Sequence, residues 1–248
     1  MKPLIVANWK CNPTTLKEAK QLFNSLKRGL RNIKKADIVI CPPFVYLQGF
    51  KIRDSRFNLG AQDCFWEEKG AFTGEISVKM LKDLKIKYVI IGHSERRQIF
   101  QETNEMIAKK LKKTLDFGLR PILCIGESQA QREKGETFKI LEKQIRKGLE
   151  GISKSKIEKV VIAYEPIWAI GSGNPCLPED ATTAALFIRK LIFQLFGKKN
   201  SARVPILYGG SVNSKNAKQY LQEEEINGLL IGGASLKPKE FLNIIRSI

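Results

Sequence analysis

An α/β fold is what this sequence predicts: a closed (β/α)8 barrel of eight parallel strands, with residues 1–248 forming one domain. Three observations carry that expectation. Eight short β-rich runs alternate with amphipathic stretches from one end of the chain to the other. The runs are mostly continuous in apolar residues, as expected of parallel strands buried on both faces. Eight units in 248 residues leave 31 residues per unit, close to the roughly 30 residues of a right-handed strand–helix–strand unit. No Pro/Gly/Ser linker or low-complexity segment interrupts the series, which favours ring closure. An open doubly wound sheet fits the same pattern and stands as the alternative.

The first run, residues 4–7, follows Met1-Lys2-Pro3. Its apolar core is too short for a signal peptide and no cleavage pattern follows, so it reads as a strand of a cytoplasmic protein. The next stretch carries Leu16, Ala19, Phe23, Leu26 and Leu30 on one helical stripe. Further strands are expected at 38–40, 59–61, 88–91, 122–125, 160–163, 206–208 and 229–231. Between the fifth and sixth, Phe138, Leu141, Ile145 and Leu149 form a second stripe. Between the sixth and seventh, Ala181, Ala184, Ala185, Ile188, Leu191, Ile192 and Leu195 form a third. It is opened by Pro178, with Glu179 and Asp180 in its first turn.

Composition narrows the function classes. Apolar content is 43% and charged content 27%, a globular mixture, and no apolar run approaches the roughly 18 residues of a membrane span. The five cysteines, at 11, 41, 64, 124 and 176, are odd in number and lack paired spacing. That argues against a disulfide framework and against a zinc site, so no metal is expected. The formal net charge of +18 favours anionic partners. The basic residues are nonetheless spread along the chain, mostly as Lys on polar helix faces. No basic tail or basic–aromatic interleaving appears, so nucleic-acid binding is not expected.

A barrel places its chemistry just after the strand C-terminal ends. Asn8 and Lys10 follow the first strand, His93 the fourth, Glu165 the sixth, Ser211 the seventh, and Gly232-Gly233 the eighth. Around Glu165 the sequence is densest. Pro166 biases Glu165 away from helical angles. The apolar loop 167–170 then ends in Gly171-Ser172-Gly173 and reads as a lid that buries its tip when shut. A positioned carboxylate under a water-excluding lid suggests proton abstraction, although a buried turn with a capping carboxylate would look the same. His93 is the only histidine. Gly92 ends a strand, and Ser94 is suited to cap a helix beginning at Glu95, whose positive end disfavours imidazolium. The glycine pairs permit close approach of backbone N–H groups to an anion, though simple turns look alike.

These segments, taken together, resemble the triosephosphate isomerase family. The matching stretches are Ala7-Asn8-Trp9-Lys10, Gly70-Ala71-Phe72-Thr73-Gly74-Glu75, Ile91-Gly92-His93-Ser94-Glu95-Arg96-Arg97, residues 163–173, Tyr208-Gly209-Gly210-Ser211-Val212 and Gly232-Gly233-Ala234-Ser235-Leu236. They run in the family's order over essentially the whole chain. The family is the type case for the TIM barrel, for a neutral electrophilic histidine and for lid closure.

The resemblance implies a glycolytic and gluconeogenic isomerase that needs no cofactor and acts on a small phosphorylated triose. It interconverts dihydroxyacetone phosphate and D-glyceraldehyde 3-phosphate through an enediol(ate). It implies Glu165 as the base, His93 as the electrophile, and Lys10 and Asn8 beside substrate oxygens, with Glu95 orienting Lys10. Gly171, Ser211, Gly232 and Gly233 would receive the phosphate. A homodimer would form through the loop of Thr73, Gly74 and Glu75, with Cys11 near the contact. A phosphate-binding barrel lyase or synthase, or a nonenzymatic basic binding protein, would share parts of the pattern. The first lacks a further strand-end lysine for a Schiff base, and the second requires nucleic-acid binding without turnover.

Overall fold

The computed structural model describes residues 2–31, 33–50, 57–171 and 173–248. Met1 and Ser172, named above in the opening segment and the glycine turn, lie outside the described residues. Eight parallel strands form the barrel. They are β1 (Leu4–Asn8), β2 (Asp37–Cys41), β3 (Phe57–Ala61), β4 (Tyr88–Ile91), β5 (Arg120–Ile125), β6 (Val161–Tyr164), β7 (Ile206–Tyr208) and β8 (Gly228–Ile231). Each pairs with the next, and β8 closes on β1 with Leu4 opposite Gly228 and Ala7 opposite Ile231. Closure excludes the open-sheet alternative.

The continuous apolar runs follow from two cores. Val6, Val39, Ile90, Ile122, Val161 and Leu207 belong to a cluster filling the barrel. Their neighbours Ile5, Ile38, Val89, Leu123, Ile162 and Ile206 belong to the larger cluster shared with the helices. Both side-chain sets are therefore buried, at about 1.5–3 kcal/mol for each large aliphatic group.

The three stripes lie on helices Leu16–Leu30, Thr137–Gly148 and Pro178–Phe196. Ala19, Phe23, Leu26 and Leu30 are buried, as are Leu141, Ile145, Ile188 and Ile192. The leading positions Leu16 and Phe138 are exposed instead. Helical side chains point back toward the N-terminus, so a first-turn residue overhangs the rim.

Two glycines bring backbones closer than any side chain allows. A Cβ at Gly228 would lie 2.0 Å from the Leu4 carbonyl oxygen, at the seam where the ring closes. A Cβ at Gly126 would lie 1.7 Å from the carbonyl oxygen of Glu165, so this glycine lets β5 and β6 meet beneath the catalytic candidate.

Candidate active site at the strand C-terminal ends

The strand ends bring Asn8, Lys10, His93, Glu165, Ser211, Gly232 and Gly233 around one cavity of about 410 Å³, with Gly171 on its rim. A volume of that order suits a small metabolite. Glu95 does not line it; its carboxylate reaches the site through Lys10, whose Nζ lies 2.5 Å from Glu95 Oε1.

Lys10 owes its aim to an uncommon backbone. Its φ is +55°, a left-handed conformation that costs a non-glycine residue about 1–3 kcal/mol. The Asn8 side chain accepts from the Lys10 N–H at 3.0 Å, and Gln62 donates to the Lys10 carbonyl at 2.8 Å. Asn8 is thus both a lining residue and the clamp of this turn.

The histidine segment departs from one expectation. The helix is Ser94–Ile99, and its cap is His93 rather than Ser94. His93 is non-helical at φ −51° and ψ 143°, and its Nδ1 accepts from the Glu95 N–H at 3.2 Å. Ser94 is the first helical residue, which frees its backbone N–H to donate to Glu165 Oε2 at 3.1 Å. An Nδ1 that accepts carries no proton, so the ring proton sits on Nε2. Nε2 lies 3.1 Å from Glu165 Oε1. The Glu165 carboxylate, 2% exposed, is therefore held by one N–H from a helix start, with the imidazole in contact on its other oxygen.

Behind His93 is Arg97, which composition and spacing had not singled out for a role. Its guanidinium donates to the carbonyls of Gly92 at 2.7 Å and Cys124 at 2.9 Å, and to Asn104 at 2.8 Å. It ties the end of β4 to the end of β5. An Arg four residues past a strand-end histidine is indistinguishable in sequence from a surface helix residue.

The lid is docked at both of its stems. Residues Ile167–Ala169 form a single 3-10 turn. The Ala169 carbonyl accepts from the Ser211 N–H at 3.1 Å and from Ser211 Oγ at 2.6 Å. At the far side, the Cys176 N–H donates to the Tyr208 hydroxyl at 3.2 Å. The apolar stem is what buries: Ala169 is fully buried, whereas Gly171 and Gly173 are exposed.

Glu127, also unnoticed in the sequence, anchors the stem. This fully buried carboxylate accepts from Trp168 Nε1 at 2.8 Å and from the Tyr164 hydroxyl at 3.2 Å. Burial pushes its pKa up, opposed by those hydrogen bonds. Arg132 covers the Trp168 ring at 4.2 Å. Lys237 is a third omission. It lines the cavity beside Gly232 and Gly233 with no carboxylate partner among the described residues, whereas Lys10 is paired.

No cluster of His, Cys, Asp and Glu among the described residues has metal-binding geometry. No helix among them is long and apolar enough to cross a membrane.

Comparison with known proteins decides the family. The triosephosphate isomerase family model matches residues 3–248. The chain belongs to the triosephosphate isomerase family. It is 49% identical over 248 residues to the triosephosphate isomerase of Dictyoglomus turgidum, covering 99% of each chain. Against that of Aquifex aeolicus it is 49% identical over 249 residues, covering all of both. Against that of Thermoanaerobacter pseudethanolicus it is 47% identical over 246 residues and 98% of each. In this member of the family Glu165, His93, Lys10 and Lys237 converge on a cavity also lined by six glycines.

Proposed function

We infer that this chain interconverts dihydroxyacetone phosphate and D-glyceraldehyde 3-phosphate by proton transfer through an enediol(ate), a step of glycolysis and gluconeogenesis. Family membership over the whole chain supports it. The observation that carries it is the Glu165–His93 pair, 3.1 Å apart at a cavity whose other side is Gly232 and Gly233.

Substrate oxygen enters beside Glu165 and accepts the His93 Nε2–H. The carboxylate turns to the carbon-bound hydrogen, removes it, and returns a proton to the adjacent carbon. Charge that builds on oxygen is met by Nε2–H, Asn8 and the Lys10 ammonium, fixed donors that need no reorganisation. Glu95 keeps Lys10 aimed. Phosphate accepts from the backbone N–H groups of Gly171, Gly232 and Gly233, and from that of Ser211 once it leaves the Ala169 carbonyl, so its binding energy also holds the lid down. Purified protein should convert glyceraldehyde 3-phosphate without added metal or nucleotide; no turnover would reject this reading.

Lys237 serves capture. Lys10 is neutralised by Glu95 and Glu165 is negative, so Lys237 supplies the cavity's unpaired positive charge for a dianion. Lys237→Gln should lower kcat/KM several-fold at low ionic strength, leave kcat nearly unchanged, and flatten the salt dependence of kcat/KM. A fall in kcat with KM constant would instead place Lys237 in the chemical step.

The assembly is a homodimer joined through the loop of Thr73, Gly74 and Glu75, and its place is the cytoplasm, with its glycolytic substrates. The loop is exposed, and the charge of Glu75 acts on Arg96, whose guanidinium covers the Phe100 ring at 5.0 Å. Nearby Ile99 and Phe100 are 67% and 63% exposed, apolar surface that a second copy would cover. Cys11 is the exposed thiol, while Cys41, Cys64, Cys124 and Cys176 are buried. Burial pushes the Cys64 and Cys176 thiols up to about 12 and raises Cys41 and Cys124 as well. At pH 8 these four stay protonated, and only a thiolate attacks. One thiol per chain should therefore react rapidly with a bulky aryl disulfide, and five after denaturation. Modification of Cys11 should split the dimer and reduce activity; unchanged dimer mass and rate after confirmed modification would reject the contact.

A further inference from the structure

The lysines that look dispersed along the sequence are gathered by the fold. At the barrel's N-terminal face, opposite the cavity, β4 is entered through Lys85 and Lys87 and β5 through Arg120. The entry to β6 carries Lys154, Lys156 and Lys159, and the entry to β7 carries Lys198, Lys199 and Arg203. These segments adjoin. The Arg120 N–H donates to the Lys87 carbonyl at 2.8 Å, and Arg120 Nε reaches the Lys159 carbonyl at 3.4 Å. The turn Ile157–Lys159 packs on the helix Lys198–Ser201, and Arg203 pairs with Glu158 at 2.9 Å. The arc covers three strand spacings, roughly 15 Å at the barrel wall. It ends at the entry to β8, where Glu223, Glu224 and Glu225 reverse the sign.

Helix dipoles explain cations in last helical turns, such as Lys82 and Lys147. They do not explain Lys85, Lys87 and Lys154, which lie beyond the helices in loops and strand entries. Lys156 and Arg203 are neutralised by Asp116 and Glu158. Lys85, Lys87, Lys154, Lys159, Lys198 and Lys199 have no carboxylate partner among the described residues, and all six are exposed.

We propose that this arc is a docking surface for the phosphate backbone of RNA, read without regard to sequence. Exposed ammonium groups on long stems suit phosphates as point charges. Among the described residues of these entries no ring is exposed on which a base could stack: Tyr88 is buried under Arg120, 5.2 Å from its guanidinium carbon. Leu84 is the one large aliphatic side chain exposed at these entries, too little to anchor in a bilayer. The site faces away from the substrate cavity, so RNA and triose phosphate bind together.

The test uses the intact protein and a fluorescent oligouridine of about twenty nucleotides. Binding at 50 mM KCl should weaken with a slope of log K against log[salt] of about −3 or steeper, the value for four or five contacts to a single strand. Replacing Lys85, Lys87, Lys159 and Lys199 together by Gln should cost at least tenfold in affinity and flatten that slope. The same number of changes elsewhere, at Lys17, Lys20, Lys215 and Lys218, should cost less than threefold. Isomerase turnover in the arc variant should match the parent, which certifies its fold. Equal losses in the two variants would reduce the effect to diffuse net charge and overturn the proposal. Competition by triose phosphate, or binding to anionic phosphatidylserine vesicles with none to RNA, would overturn it too.

Discussion

Glu165→Gln should cut kcat by roughly 10²–10⁴-fold, the usual contribution of a positioned general base, while inorganic phosphate still protects the protein against thermal unfolding. The substitution keeps shape and removes the basic lone pair that takes hydrogen from carbon. The geometry adds a specific cost. One carboxylate oxygen accepts from the Ser94 N–H at 3.1 Å, and the other lies 3.1 Å from His93 Nε2. A glutamine oxygen satisfies one and its NH2 opposes the other, so the resting side chain should shift. Measurement of turnover from glyceraldehyde 3-phosphate together with phosphate-dependent melting separates the two effects. Turnover within tenfold of the parent would remove Glu165 from the base role. Loss of phosphate protection as well would mean that the cavity itself had collapsed.

The barrel was legible in the sequence because parallel strands buried on both faces must be apolar throughout. The runs at 4–7 and 88–91 show this most plainly, and every residue of both is buried. The strand-end positions of Asn8, Lys10, His93 and Glu165 were legible for the same reason: a polar residue just after such a run has only one face of the barrel to occupy. What stayed hidden depends on contacts distant in sequence. Glu127 becomes the anchor of Trp168 only when β5 and β6 lie side by side. Arg97 becomes a brace only once the Cys124 carbonyl is in reach. The cap was misassigned because serine is the commoner N-cap, whereas here an imidazole nitrogen accepts the helix N–H that a hydroxyl would take. The cationic arc was invisible because Lys87, Arg120 and Lys159 are far apart in the chain and neighbours only across the strand entries.

His93→Gln should lower kcat by roughly 10²–10³-fold, the usual loss when one donor to a developing oxyanion is removed, with KM changed much less. The argument starts from the proton's position. With Nδ1 engaged by the Glu95 N–H at 3.2 Å, the ring offers Nε2–H alone to substrate, and a neutral donor is matched to an oxygen whose charge rises during reaction. A glutamine amide can present an N–H near the same place but cannot lend and retrieve a proton as charge moves between the two substrate oxygens. It also gives up the Nδ1 cap, worth about 0.5–2 kcal/mol, so the variant should melt lower. That loss changes the folded fraction and leaves the turnover of folded molecules to report on chemistry alone. If the rate constant holds while KM rises, His93 grips the ground state rather than the enediolate, and polarisation of the carbonyl must come from Lys10 and Asn8 instead.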